Sequence, residues 1–219
     1  MIPRIALEFY FFSQKHVSLL LFSGFFLILV TFSPFSINNT GGAPLLKELE
    51  VLFNDTPSHS LVKAASKDSL SHEFHSQTVL FFAPAYGVSK LLESAGLLLT
   101  LPSATGNVIE KHRFSVILFS AYLFHAFCFA FFYTLCRHFV SNKTSLLLCI
   151  GLLCSAYSFL SKTVTPYAVS TGCIVCSLNF LFFGKFIRSA ILFSCMILTD
   201  LIFIALFPVL FIYILKSKK

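Results

Sequence analysis

From Phe114 to Cys136 the chain runs 23 residues without a single Asp, Glu, Lys or Arg. A second uncharged run covers residues 17–35, and three more follow downstream. About twenty apolar residues suffice to cross the hydrocarbon core of a bilayer. Runs of this kind cannot be placed on the outside of a water-soluble domain. The composition agrees: 57% of the 219 residues are hydrophobic and 11% are charged. Soluble domains carry about twice that share of charge, so this chain lacks the polar surface to cover a globule. The same numbers exclude intrinsic disorder. The sequence therefore predicts an all-α, polytopic transmembrane bundle of about five to six membrane helices.

The punctuation between the runs sets the organisation. Residues 1–16 read as a cytosolic N-terminus and 17–35 as the first transmembrane helix. A signal peptide competes for 17–35, but Ser33-Pro34-Phe35-Ser36 is a poor cleavage site, which favours a retained anchor. Residues 36–112 read as a large extracytoplasmic first loop holding seven of the nine acidic residues. Two half-apolar stretches in it, 57–70 and 79–101, predict interfacial amphipathic helices. Lys90 and Glu93 make the second costly as a true span, and Pro84 and Gly87 are expected to break or kink it. Residues 113–219 then read as the membrane bundle, with helices at 114–136, 145–160, 166–183, 189–199 and 201–215. The last pair, turning at Asp200, competes with one long span over 189–215.

Lys and Arg set the orientation. The net charge is +7, and the bases gather at Arg4 and Lys15, at 137–143 and at 185–188. Placing these on the cytosolic side puts 36–112 outside. The expected location is thus a multi-pass membrane protein, a bacterial inner membrane with a cytosolic N-terminus being the leading reading. The basic balance needs no nucleic acid, because the bases are not interleaved with aromatics in a stripe. The seven cysteines lie in or beside apolar runs and read as buried inert thiols.

Few residues are placed to do chemistry. Asp55 precedes Thr56-Pro57, a helix-start signal, so helix capping explains it. The alternative is a carboxylate at the outer membrane face, acting as general base or holding a cation. His72 and His75, three apart, with His59 upstream, admit a weak divalent-metal reading. They lack a further fixed ligand, so surface histidines are the simpler explanation and no metal is assigned. His125, in mid-span, reads as a helix-packing hydrogen bond.

Four short segments, in order, resemble the GT-C type glycosyltransferases. Asn54-Asp55-Thr56-Pro57-Ser58-His59 with its following aliphatics is similar to that family's first outer loop, and Gln77 to Tyr86 to its Pro-x-Tyr segment. Ser161 to Tyr167 is similar to the short outer loop ending in Pro and an acid. Leu198-Thr199-Asp200 with Phe207-Pro208 is similar to the Leu-Thr-Arg-Pro turn. The resemblance implies transfer of a sugar from a polyprenyl-phosphate donor to an acceptor at the extracytoplasmic face. It implies Asp55 as catalytic carboxylate and Lys162, Lys111 and Arg113 as bases meeting the donor phosphate. A divalent metal cofactor is compatible but not assigned. The expected partners are the lipid bilayer, the lipid-linked sugar and a second membrane subunit. Thr56, His59, Tyr167 and Asp200 depart from the pattern, and the span count is low. A truncated N-terminal portion, or a non-catalytic subunit or degenerate relative, is therefore the alternative, with a small transporter component as a third.

Overall fold

The computed structural model describes residues 4–32, 42–54, 76–100, 107–155, 157, 162, 164, 166–199 and 208. These form seven α-helices and no strand: α1 (Arg4–Phe32), α2 (Gly42–Leu52), α3 (Ser76–Ser94), α4 (Val108–Cys136), α5 (Asn142–Leu153), α6 (Pro166–Phe182) and α7 (Phe186–Thr199). The all-α expectation is met among the described residues.

Helix α4 is the hub. It packs against α1, α2, α3, α5 and α6, and α6 packs against α7. Its 29 residues make a rod about 44 Å long. The helix begins at Val108, six residues before the expected span. The cause is a capping box: the Asn107 side chain accepts from the Glu110 N–H at 2.9 Å, and Glu110 Oε2 accepts from the Asn107 N–H at 3.2 Å. Lys111, His112 and Arg113 are therefore helical residues and not a flanking loop.

Aromatic packing fixes how α1 and α3 lie on this hub. Phe22 meets Phe127 at 4.7 Å between ring centres, and Phe26 meets Phe119 edge-on at 5.1 Å, so α1 runs antiparallel to α4. Phe81 meets Phe124 at 4.9 Å, while Glu93 reaches Arg113, so α3 is antiparallel too. Helix α3 thus lies lengthwise along α4 and not across its end. It also runs through Pro84 without the break that was one of the two outcomes expected there, the other being a kink. Pro84 is exposed, so its ring points away from the packed side. Helix α3 stops in a Schellman turn: Gly96 takes φ +73, Leu97 N–H bonds Leu92 O at 2.9 Å, and Gly96 N–H bonds Glu93 O at 3.0 Å.

The remaining helices are short. Pro166 opens α6, where its missing N–H costs nothing. Gly184, at φ +69, closes it with the same pair of Schellman bonds. Within the expected 145–160 span the structure describes the 12-residue α5, begun early by the Ser141 cap on Thr144 and capped at Cys154, while residues 156 and 158–160 lie outside the described residues. At about 18 Å, α5 falls well short of a bilayer core. Among the described residues, only α4 is both long and apolar enough to cross a membrane. Residues 16–31, 142–153, 167–182 and 186–197 are apolar but shorter. The turn at Asp200 and, apart from Pro208, the proposed helix at 201–215 lie outside the described residues.

Close approach between α4 and α6 depends on Gly172. A Cβ there would strike the Phe124 ring and sit 2.8 Å from Cys128 Sγ. Polar ties reinforce the same seam. Asn179 Nδ2 donates to Phe131 O at 2.8 Å and to Thr134 Oγ1 at 2.6 Å. Ser177 Oγ donates to Ser189 O at 2.9 Å, joining α6 to α7. His125 Nδ1 lies 3.2 Å from the Tyr157 hydroxyl, as the packing reading of that histidine requires. All seven cysteines are free thiols, five of them buried.

Candidate functional site

The described charges that are buried gather at the N-terminal end of α4. Arg113 lies in its second turn. Its Nη1 donates to Glu50 Oε1 on α2 at 3.2 Å, and its Nε donates to Glu93 Oε2 on α3 at 3.3 Å. The guanidinium also sits over the Tyr86 ring of α3, 5.5 Å from its centre. One cation thus ties three helices together. The Glu50 side chain is 1% exposed and that of Arg113 is 10% exposed. A buried charge of either sign is costly alone, and here each has its partner.

His112 locks the next layer. Its Nδ1 accepts from the Leu99 N–H at 2.8 Å, so the ring proton belongs on Nε2, which donates to Ser89 O at 3.0 Å. The imidazole thereby holds the chain after α3 against the first turns of α4. Ser89 Oγ in turn donates to Tyr86 O at 2.7 Å. Around this polar centre stands an apolar apron: Leu52, Phe53, Leu91, Leu97, Val108 and Ile109 are all exposed.

The site residues expected from sequence divide sharply. Arg113 is at the centre, already engaged by two carboxylates. Lys111 is half-buried two residues earlier on the same helix, with its carbonyl accepting from Ser115 Oγ at 2.6 Å. Lys162 is half-buried in the segment between α5 and α6. Asp55, His59, His72 and His75 lie outside the described residues. The approach to Asp55 is described. Asn54 is exposed and takes the left-handed φ of 54 as it ends α2. Phe53, just before it, packs on Tyr86 at 5.0 Å. The chain leading to Asp55 therefore leaves from beside the Arg113 cluster.

Sequence reasoning had not joined Glu50, Tyr86, Glu93 and His112 to this site. One local signal could find part of it: an Asn107-x-x-Glu110 capping box starts a helix that takes in His112 and Arg113. The pairing of Glu50 with Arg113 spans 63 residues and leaves no local trace. No group of three or more metal-binding side chains occurs among the described residues. What the arrangement offers chemically is a rigid, water-poor polar centre inside an apolar rim, with Lys111 beside it. No family model, no curated protein and no solved structure matches the chain.

Proposed function

We propose that the chain is a multi-pass helical membrane protein whose polar end handles a lipid-linked sugar, as a GT-C type glycosyltransferase or a shortened relative of one. Two observations support the membrane part. Large apolar side chains face outward, with Leu20 71%, Leu147 67% and Ile187 78% exposed. Polar side chains face inward: Glu50, His112, Arg113, His125 and Asn179 are all buried. Soluble proteins invert this distribution, and exposed apolar area on this scale needs a covering phase. Helices shorter than the hydrocarbon core are tolerated where neighbours cover their ends or the bilayer thins locally.

The glycosyltransferase part is carried by one juxtaposition. Phe53, the residue just before the family-like segment that begins at Asn54, packs on Tyr86 of the Pro-x-Tyr segment, and Arg113 lies over that same ring. In this reading Asp55 orients or deprotonates the acceptor hydroxyl. Lys111 and Lys162 meet the donor phosphate, while Arg113 positions the surrounding helices. The polar end faces the extracytoplasmic side, and the N-terminus is cytosolic. The bacterial inner membrane is the proposed location.

The test is sugar transfer from a polyprenyl-phosphate donor in membranes containing the chain. Asp55→Asn is expected to abolish transfer and Lys111→Gln to weaken it. Equal transfer with wild type and Asp55→Asn removes the catalytic role. A second reading, a non-catalytic membrane subunit, is favoured by one observation: the Arg113 guanidinium is already occupied by Glu50 and Glu93. Transfer that appears only when a second membrane polypeptide is added would select it.

A further inference from the structure

The opposite end of the bundle carries bases with no acid in the adjoining segments. Residues 137–141 join α4 to α5, and residues 183–185 join α6 to α7. These two turns touch. The His138 ring lies 4.6 Å from that of Phe183, and Phe139 meets Phe182 edge-on at 4.8 Å. Helices α4 and α6 therefore end together, and α5 and α7 begin together.

Four bases converge there, namely Arg137, Lys143, Lys185 and Arg188, and neither 137–155 nor 183–199 contains an Asp or Glu. Lys143, Lys185 and Arg188 are exposed. Arg137 and Arg188 stand over the Tyr133 and Phe180 rings at 5.9 and 6.0 Å, which keeps both guanidinium groups at this end. Lys143 and Arg188 occupy the first turns of α5 and α7, where the helix dipole disfavours cations and where neither helix has an acid. Such a patch costs the fold energy. Between the bases stand exposed apolar side chains, Phe139, Phe183, Phe186 and Ile187. A cluster of exposed bases set beside exposed apolar side chains matches an amphiphile with an anionic head and hydrocarbon tails.

We propose that this end docks on an anionic phospholipid, whose phosphate-bearing head meets Lys143, Lys185 and Arg188 and whose acyl chains cover the phenylalanines. The proposal rests on the membrane reading above, and names the lipid class that one face selects.

The full chain is reconstituted in nanodiscs of zwitterionic lipid with or without added phosphatidylglycerol, and the lipid retained on release is measured by native mass spectrometry. Phosphatidylglycerol is expected to be enriched over its bulk share. Retention is expected to fall about fivefold for each base neutralised, the strength usual for Lys or Arg beside an anionic leaflet. The K143Q/K185Q/R188Q variant is expected to lose the enrichment, and K47Q on α2 to keep it. Unchanged retention in the triple variant overturns the proposal, as does an equal loss in K47Q. Full displacement by inorganic phosphate overturns the lipid as the source of the anion. Carbonate extraction of native membranes separates the two readings. A chain that stays in the membrane without lipid preference sinks this proposal alone; a chain that washes out sinks the membrane reading with it.

Discussion

The two ends of the α4 hub treat charge in opposite ways. At its N-terminal end Arg113 is buried and shared between Glu50 and Glu93, with Tyr86 beneath it. At its C-terminal end Arg137 stands among Lys143, Lys185 and Arg188, with no acid in the adjoining segments. The first arrangement is closed: each charge finds its counter-charge within the protein, and the result is a joint between helices. The second is open, since same-sign charges on touching turns repel one another. Paired buried charges report on the fold, whereas unbalanced exposed charges report on the surroundings.

The largest expected effect tests the closed end. Arg113→Ala removes the Arg113–Glu50 ion pair from its buried setting, and the cost of breaking such a pair is about 3–5 kcal/mol. Denaturant titration of the detergent-solubilised chain, followed by helical circular dichroism, measures it. Replacing Arg113, Glu50 and Glu93 together by leucine is expected to cost far less, because no orphaned charge remains. If the single and triple variants lose equal stability, the joint is not electrostatic.

Next in size is the seam between α4 and α6. Gly172→Ala drives a methyl into the Phe124 ring and against Cys128 Sγ, at 2.8 Å. Overpacking of this kind costs about 1–3 kcal/mol. A compensating Phe124→Leu is expected to recover part of it in a double-mutant cycle. Asn107→Ala removes half of the capping box and is expected to cost about 1 kcal/mol. That loss separates a true helix start at Val108 from a frayed one, and hydrogen exchange at the 108–113 amides shows which it is.

The smallest stability effect belongs to the open end. K143Q/K185Q/R188Q is expected to leave stability in zwitterionic detergent within about 0.5 kcal/mol. A larger loss would mean that these bases serve the fold after all, and the contrast between the two ends would fail.

Much of the framework was legible in the chain. The uncharged run at 114–136 marked the hub. Pro166 and Gly184 marked both ends of α6, since one lacks the N–H that a first turn does not need and the other takes a left-handed φ without strain. Boundaries failed where capping outweighed hydropathy. Asn107 and Ser141 start α4 and α5 before the apolar residues begin. Pro84 does not end α3, since a proline inside a helix costs one backbone hydrogen bond and can be absorbed without ending it. Arg113 was found by its place beside a span, but its engagement was not.

The sequence by itself determined that the described part of this protein is helical, that the run at 114–136 is long and apolar enough to cross a membrane, and where its charges punctuate the chain. Those properties are local sums over neighbouring residues. Only the tertiary structure decided that Glu50, Glu93 and Arg113 share one site and that the turns at 137–141 and 183–185 form one basic face. Such juxtapositions arise from the packing of helices far apart in sequence, and apolar periodicity carries no record of them.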